Sequence, residues 1–385
     1  MKDRKIKGVT LIALAVTIIV MLILAGVTIS ALTGNSGITT KANEARYENM
    51  IGQIKEIVNI TISEMKADAI ENNTSFTLAE QKEKVIEALK KNGFDPKKNK
   101  HIQINNSQTL ISVNNDKAVS IVTGEIAICG EEGVWDWVAT DIENKEVGIC
   151  GYNGEDENIT IPEYIKYKKE IYAVTSLKNC SGGHDSFKLK SPNTPGDHKF
   201  KTNKQIKSIK MLENIVLIDG GEFSNNDVIE SIEMSDNMET FHSGASFFGC
   251  TKLKTCKLSN SIKIIPNNLF QNCTSLEEVN IPNSTTEIGE YAFSGVKSIE
   301  KLVIPSNVIK IAKGAFSNME LKELVIEEGL EEVGEMAFSN ATTVNVDLHL
   351  PKTLHIEKIG KNAFWGFGKK VYLSDGTQVS TKWND

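Results

Sequence analysis

Residues 276–298 read LEEVNIPNSTTEIGEYAFSGVKS, and residues 299–320 follow as IEKLVIPSNVIKIAKGAFSNME. Each unit holds a strand-like stretch of inward aliphatics, a turn at Pro or Asn, a second apolar pair and an Ala-Phe turn. The phenylalanine keeps the register: Phe223, Phe247, Phe270, Phe293, Phe316, Phe338 and Phe364, at spacings of 24, 23, 23, 23, 22 and 26 residues. Seventeen residues before most of them stands Ile206, Leu253, Leu276, Ile299 or Leu321. One such unit cannot bury its apolar side, but stacked neighbours can, so the pattern specifies a solenoid.

Strand alternation names a surface. If Leu276, Val279 and Ile281 point inward, Glu278 and Asn280 face out. Carried through the repeats, this gives two outward columns. One is Ser208, Ser231, Thr255, Glu278, Lys301, Glu323 and Asp347. The other is Lys210, Glu233, Lys257, Asn280, Val303, Val325 and His349, the candidate partner-binding residues. Solvated sheet faces also carry valine, because strand propensity favours it.

These units resemble the BspA-like leucine-rich repeats of bacterial surface proteins. Asn158-Ile159-Thr160-Ile161-Pro162-Glu163 looks like the first repeat of that family, with Ala173–Leu177 behind it. Phe247 with Cys250 and Phe270 with Cys273 keep its AFxxC element, whereas Val296 and Met319 replace the cysteine. The resemblance implies a parallel β solenoid over residues 143–373, ending near Tyr372 with Gly360–Phe367 as its last turn. It also implies protein–protein contact or adhesion rather than catalysis.

The other end of the chain reads differently. Val9 to Leu32 holds no charged residue. As a helix it spans about 36 Å, enough to cross a bilayer core of about 30 Å. Lys2, Arg4, Lys5 and Lys7 precede it, which places the flank in the cytoplasm and the C-terminal bulk outside. The join Lys7-Gly8-Val9-Thr10-Leu11-Ile12 resembles the processing site of type IV prepilins, with the cut between Gly8 and Val9. The fifth mature residue, usually glutamate in that family, is Ala13. That departure favours an anchor or tip position over a filament shaft.

Between these regions, Lys41–Ala69 is near-helical in period, with Ala45, Ile51, Ile54, Val58 and Ile62 as its apolar face. Thr77–Asn92 reads as a second helix, with Thr77 and Glu80 as a capping box and Gly93 ending it. Strands are expected at His101–Ile104, Thr109–Val113 and Ala118–Ile128. The expected architecture is α+β: residues 1–8 a basic leader, 9–32 a transmembrane helix, 38–130 a small pilin-like head, then the solenoid.

Composition narrows function. With 385 residues and a net charge of −7, general nucleic-acid binding is not expected. The six cysteines form no CxxC and lack histidines at zinc spacing, so no metal or cofactor is expected. Cys250, Cys256 and Cys273 fall at apolar repeat positions and read as buried thiols. Cys129 with Cys150 is the expected disulfide. Residues 178–205 interrupt the array with a basic, Gly- and Pro-rich insertion, and Glu320 to Glu335 form an acidic band. Trp135 and Trp137 fit packing between head and solenoid better than a carbohydrate platform. His184 and His198 have no nucleophile elbow around them, so no catalytic residue is assigned. The reading is a displayed binding protein, single-pass in the cell membrane through Val9–Leu32, that meets a protein partner at the cell surface. The alternative is a minor pilin or pseudopilin touching pilus or secretion subunits.

Overall fold

The helical period that begins near Lys41 becomes one long helix, α1 (Ile38–Glu71), in the computed structural model, which describes residues 38–105, 108–178, 200, 203–242, 246–341 and 347–382. Its core face is Met50, Ile51, Ile54, Val58 and Ile62, packed on Val85, Ile86 and Leu89 of α2 (Leu78–Lys91). Ala45 is exposed instead of packed. Nine residues at about 100° each put it half a turn from Ile54. The capping box of α2 forms as expected. Thr77 Oγ1 accepts from the Glu80 N–H at 3.2 Å, and Glu80 Oε2 accepts from the Thr77 N–H at 2.7 Å. Gly93, at φ +90°, follows the helix end.

An antiparallel sheet completes this unit in the order β1 (Ile102–Ile104), β2 (Leu110–Val113), β3 (Lys117–Ser120). The third strand is shorter than the expected Ala118–Ile128. Gly124 turns the chain at φ +75°, its N–H donates to Ser120 O, and Val119 bridges back to Ile126. Among the described residues, no helix is long and apolar enough to cross a membrane. The candidate span Val9–Leu32, the leader 1–8 and the candidate cut at Gly8 and Val9 all lie outside the described residues.

Six strands carry the chain into the array: β4 (Cys129–Gly130), β5 (Trp135–Asp141), β6 (Glu146–Tyr152), β7 (Asn158–Thr160), β8 (Tyr164–Tyr167) and β9 (Glu170–Leu177). The β5–β6 hairpin is antiparallel, and β6 pairs parallel with β9, so the hairpin covers the first coil edge. Trp135 packs on Tyr152 at 4.9 Å, and Trp137 packs on Tyr167 at 5.2 Å and Tyr172 at 6.2 Å. Both tryptophans are buried, which makes them packing residues of this cap.

Three backbone rails, the first two in segments, then join successive coils. The first is a parallel ladder of β7, Ser208–Lys210, Ser231–Glu233, Thr255–Lys257 and Glu278–Val279. It resumes as Lys301–Ile304 on Glu323–Ile326, and again as Leu348–His349 on Val371–Tyr372. Gln378–Val379 folds back antiparallel on this last strand, so the sheet runs past the expected end near Tyr372. The second rail joins β9, Leu217–Ile218 and Thr240–Phe241, then Ile264–Ile265, Glu287–Ile288, Lys310–Ile311 and Glu332–Val333. The third is the Ala-Phe turn. The Phe270, Phe293 and Phe316 N–H groups donate to Ala292, Ala315 and Ala337 O of the following coil.

Inside this turn the phenylalanine rings stack from Phe200 to Phe364, with neighbouring centroids 5.2–5.7 Å apart. From Phe223 onward adjacent rings lie within 29° of parallel, an offset stack. Phe200 belongs to this column although it falls within the expected interruption 178–205. From Phe223 onward, the residue two after each Phe of the stack is left-handed and is Asn or Gly: Asn225, Gly249, Asn272, Gly295, Asn318, Asn340 and Gly366. A Cβ on Gly249, Gly295 or Gly366 would come within 2.4–2.6 Å of the Oδ1 of the asparagine one coil earlier.

The cysteine of the AFxxC element also joins coils. Cys250 Sγ donates to Phe223 O and Cys273 Sγ to Phe247 O, each at 3.0 Å. In the coil before them Asn226 takes the cysteine's place, and its Nδ2 donates to Phe200 O at 2.8 Å. Cys250, Cys256 and Cys273 are buried and free, as their repeat positions imply. The expected Cys129–Cys150 bridge does not form. Cys129 is a free thiol in β4, whereas Cys150 is disulfide-bonded.

Candidate binding surface of the array

The outward columns follow from the first rail. Its registers align Ser208 with Ser231, Thr255 and Glu278, and align Lys210 with Glu233 and Lys257. The central residues Ile209, Ile232 and Cys256 are buried, so residues on either side of them must face out. These strands, β7 included, form a shallow groove of about 610 Å³ that Asn280 also lines.

The expected binding residues fall into three groups rather than one continuous column. Lys210, Glu233 and Lys257 share the groove, with Glu233 3.3 Å from Lys210 and 3.8 Å from Lys257. Val303 and Val325 pair directly on the next sheet segment, both exposed. His349 pairs with Tyr372, ring on ring at 5.4 Å. Among the described residues, no ladder joins Val279 to Lys301, or Ile326 to Leu348, which separates the groups. Sequence reading missed Tyr372 as part of this surface, yet it stands 23 residues after His349, one repeat on. Asp347 is used differently: its Oδ1 accepts from the Lys370 N–H.

Charge on the array is mostly matched between coils. Lys207 pairs with Glu157 at 2.7 Å, Lys254 with Glu230 at 2.8 Å and Lys301 with Glu323 at 2.7 Å. The hydrogen bond from Lys254 holds the Glu230 carboxyl below its usual range, and Glu157 raises Lys207. Part of the acidic band is matched in the same way, through Lys297–Glu320, Lys310–Glu332 and Lys313–Glu335. Exposed pairs of this kind are screened by solvent and contribute little to stability. Lys204, Lys207 and Lys210 pair with Asp227, Glu157 and Glu233. Lys188, Lys190, Lys199, Lys201, His184 and His198 lie outside the described residues. Among the described residues, no group of three or more His, Cys, Asp or Glu is placed to hold a metal ion.

A family model described as BspA type leucine rich repeat region, in six copies, matches residues 173–300 and 286–371, just over half of the chain. The chain belongs to this family. No curated protein sequence matches it. The BspA-type array is similar to several solved structures. A leucine rich cell surface protein from Faecalibacterium prausnitzii is 15% identical, with 60% of this chain and 85% of that chain covered and a TM-score of 0.33. A T. pallidum leucine rich repeat protein is 16% identical, with 66% and 99% covered and a TM-score of 0.40. The pneumococcal vaccine antigen PcpA is 14% identical, with 63% and 81% covered and a TM-score of 0.35. The superpositions are partial, and the assignment rests on the repeat match and the three rails.

Proposed function

We propose that this chain is a cell-surface binding protein whose leucine-rich array meets a protein partner across the outward face of its first rail. The carrying observation is the pair Val303 and Val325, which lie side by side, exposed, on a face that the fold itself does not cover. Stacked repeats present extended surfaces of this kind, and exposed apolar spots beside polar rims suit protein contact. In this reading Val9–Leu32 anchors the chain with its C-terminus outside, and the partner is a protein on a host or neighbouring cell. The pilus or secretion-subunit reading rests on Gly8 and Val9, and no feature of the described residues favours it.

The test is site-specific photo-crosslinking on intact cells. Crosslinkers at Val303 and Lys257 should give adducts that a crosslinker at Ile264, exposed on the second rail, does not. Equal adducts from both rails, or none from the first, would refute the reading.

A further inference from the structure

From Phe223 onward, the residue before each stacked phenylalanine is buried in the core. In chain order the described coils place Glu222, Ser246, Leu269, Ala292, Ala315, Ala337 and Ala363 there, all buried. Six of the seven are small or apolar and carry no charge. Glu222 is fully buried, and neither of its carboxyl oxygens has a hydrogen-bond partner. An unpartnered buried carboxylate is very costly, whereas the protonated acid removes most of that cost.

Among the described residues, no ion pair reaches Glu222. On its own turn stands Asp219, itself mostly buried. Lys178, at the end of the preceding coil, and His242, from the following one, both point to Asp219, at 3.3 and 3.1 Å. The following coil also contributes Ser246, which is neutral. We propose that the coil around Phe223 is a pH-sensitive joint: Glu222 is held there as the neutral acid, and loss of its proton to solvent loosens that coil. Burial first, and the Asp219 charge second, hold the Glu222 carboxyl well above the usual carboxylate range. Because the folded value is raised, the coil is most stable below the unfolded value of about 4.3. It loses that contribution as pH rises toward the folded value.

The experiment compares the full-length chain in detergent with Glu222→Gln and Glu222→Ala, the second being the residue four other coils use. Thermal midpoints are measured at about pH 4.5 and about pH 8. The wild type should fall behind both variants as pH rises, with a gap that widens by about 3 °C or more. Amide exchange around Phe223 should quicken more than around Phe316. The widening should persist in a His242→Gln background, because that change leaves a neutral side chain beside Asp219 at both pH values. A gap of equal size at both pH values would overturn the proposal, as would a widening that disappears with His242→Gln.

Discussion

Phe316 lies in the middle of the ring column, fully buried, with Phe293 and Phe338 each 5.2 Å away. Phe316→Ala removes a core side chain and leaves a cavity, at a cost of about 3–5 kcal/mol. The two ring contacts account for about 0.5–1.5 kcal/mol each. Phe316→Leu keeps most of the buried apolar area but loses both contacts, so it should cost about 1–3 kcal/mol. Each coil touches only its neighbours, so the damage concentrates at one joint. Urea unfolding should then separate into two steps. Trp135 and Trp137 report on the first cap and Trp365 on the far end. Amide exchange at the third-rail donors Gly314 and Asn318 shows where opening starts. If Phe316→Leu matches the wild type, the stack contributes nothing beyond burial. If Phe316→Ala costs under about 1 kcal/mol, the column does not hold the array together.

Two further outcomes follow from single positions. Met336 is left-handed, at φ +55°, where the matching residues of two other coils are Asn268 and Asn362. Met336→Asn should therefore raise stability by about 1 kcal/mol in urea unfolding, and a loss would show that the methionine side chain packs for more than its strain. Burial pushes the Cys250 thiol up to about 12 and holds Cys256 and Cys273 above their usual range as well. Thiolate is the reactive form, so iodoacetamide should label none of the three at about pH 8 until urea unfolds the chain. Fast labelling of the folded protein would contradict their burial.

Much of the array was legible because its signals repeat. The Phe register gave the stack, and period-two alternation gave columns that the strand registers reproduce from Ser208 to Glu278. What the sequence concealed was either a single event or a substitution of kind. Phe200 was hidden by the insertion before it, although it stands 23 residues before Phe223. Asn226 makes the cysteine's hydrogen bond with an amide, and no residue-type pattern links the two. The separations after Val279 and Ile326 depend on backbone pairing, which side-chain periodicity does not encode. The expected Cys129–Cys150 bridge joined two of the cysteines that lie outside the apolar repeat positions. In the fold, β4 pairs with β8 while β6 lies between β5 and β9, so the two cysteines belong to different ladders. Glu222 was unremarked because a lone carboxylate in a charged sequence carries no signal until its coil position is known.

The left-handed residue after each Ala-Phe turn bears on how such a chain can lengthen. Arrays of this type grow by copying a coil beside itself. The described glycine coils each follow an asparagine coil, whose Oδ1 fills the space a side chain would need. Among the described residues, the one pair of asparagine coils in succession, Asn318 and Asn340, is reconciled by a 3.1 Å bond between their amides. A duplicated asparagine coil therefore brings its own seam. A coil with any larger residue at that position would meet both a disfavoured backbone and an occupied space. New coils are thus admitted at some joints and refused at others, and this turn acts as the gatekeeper of the array's length.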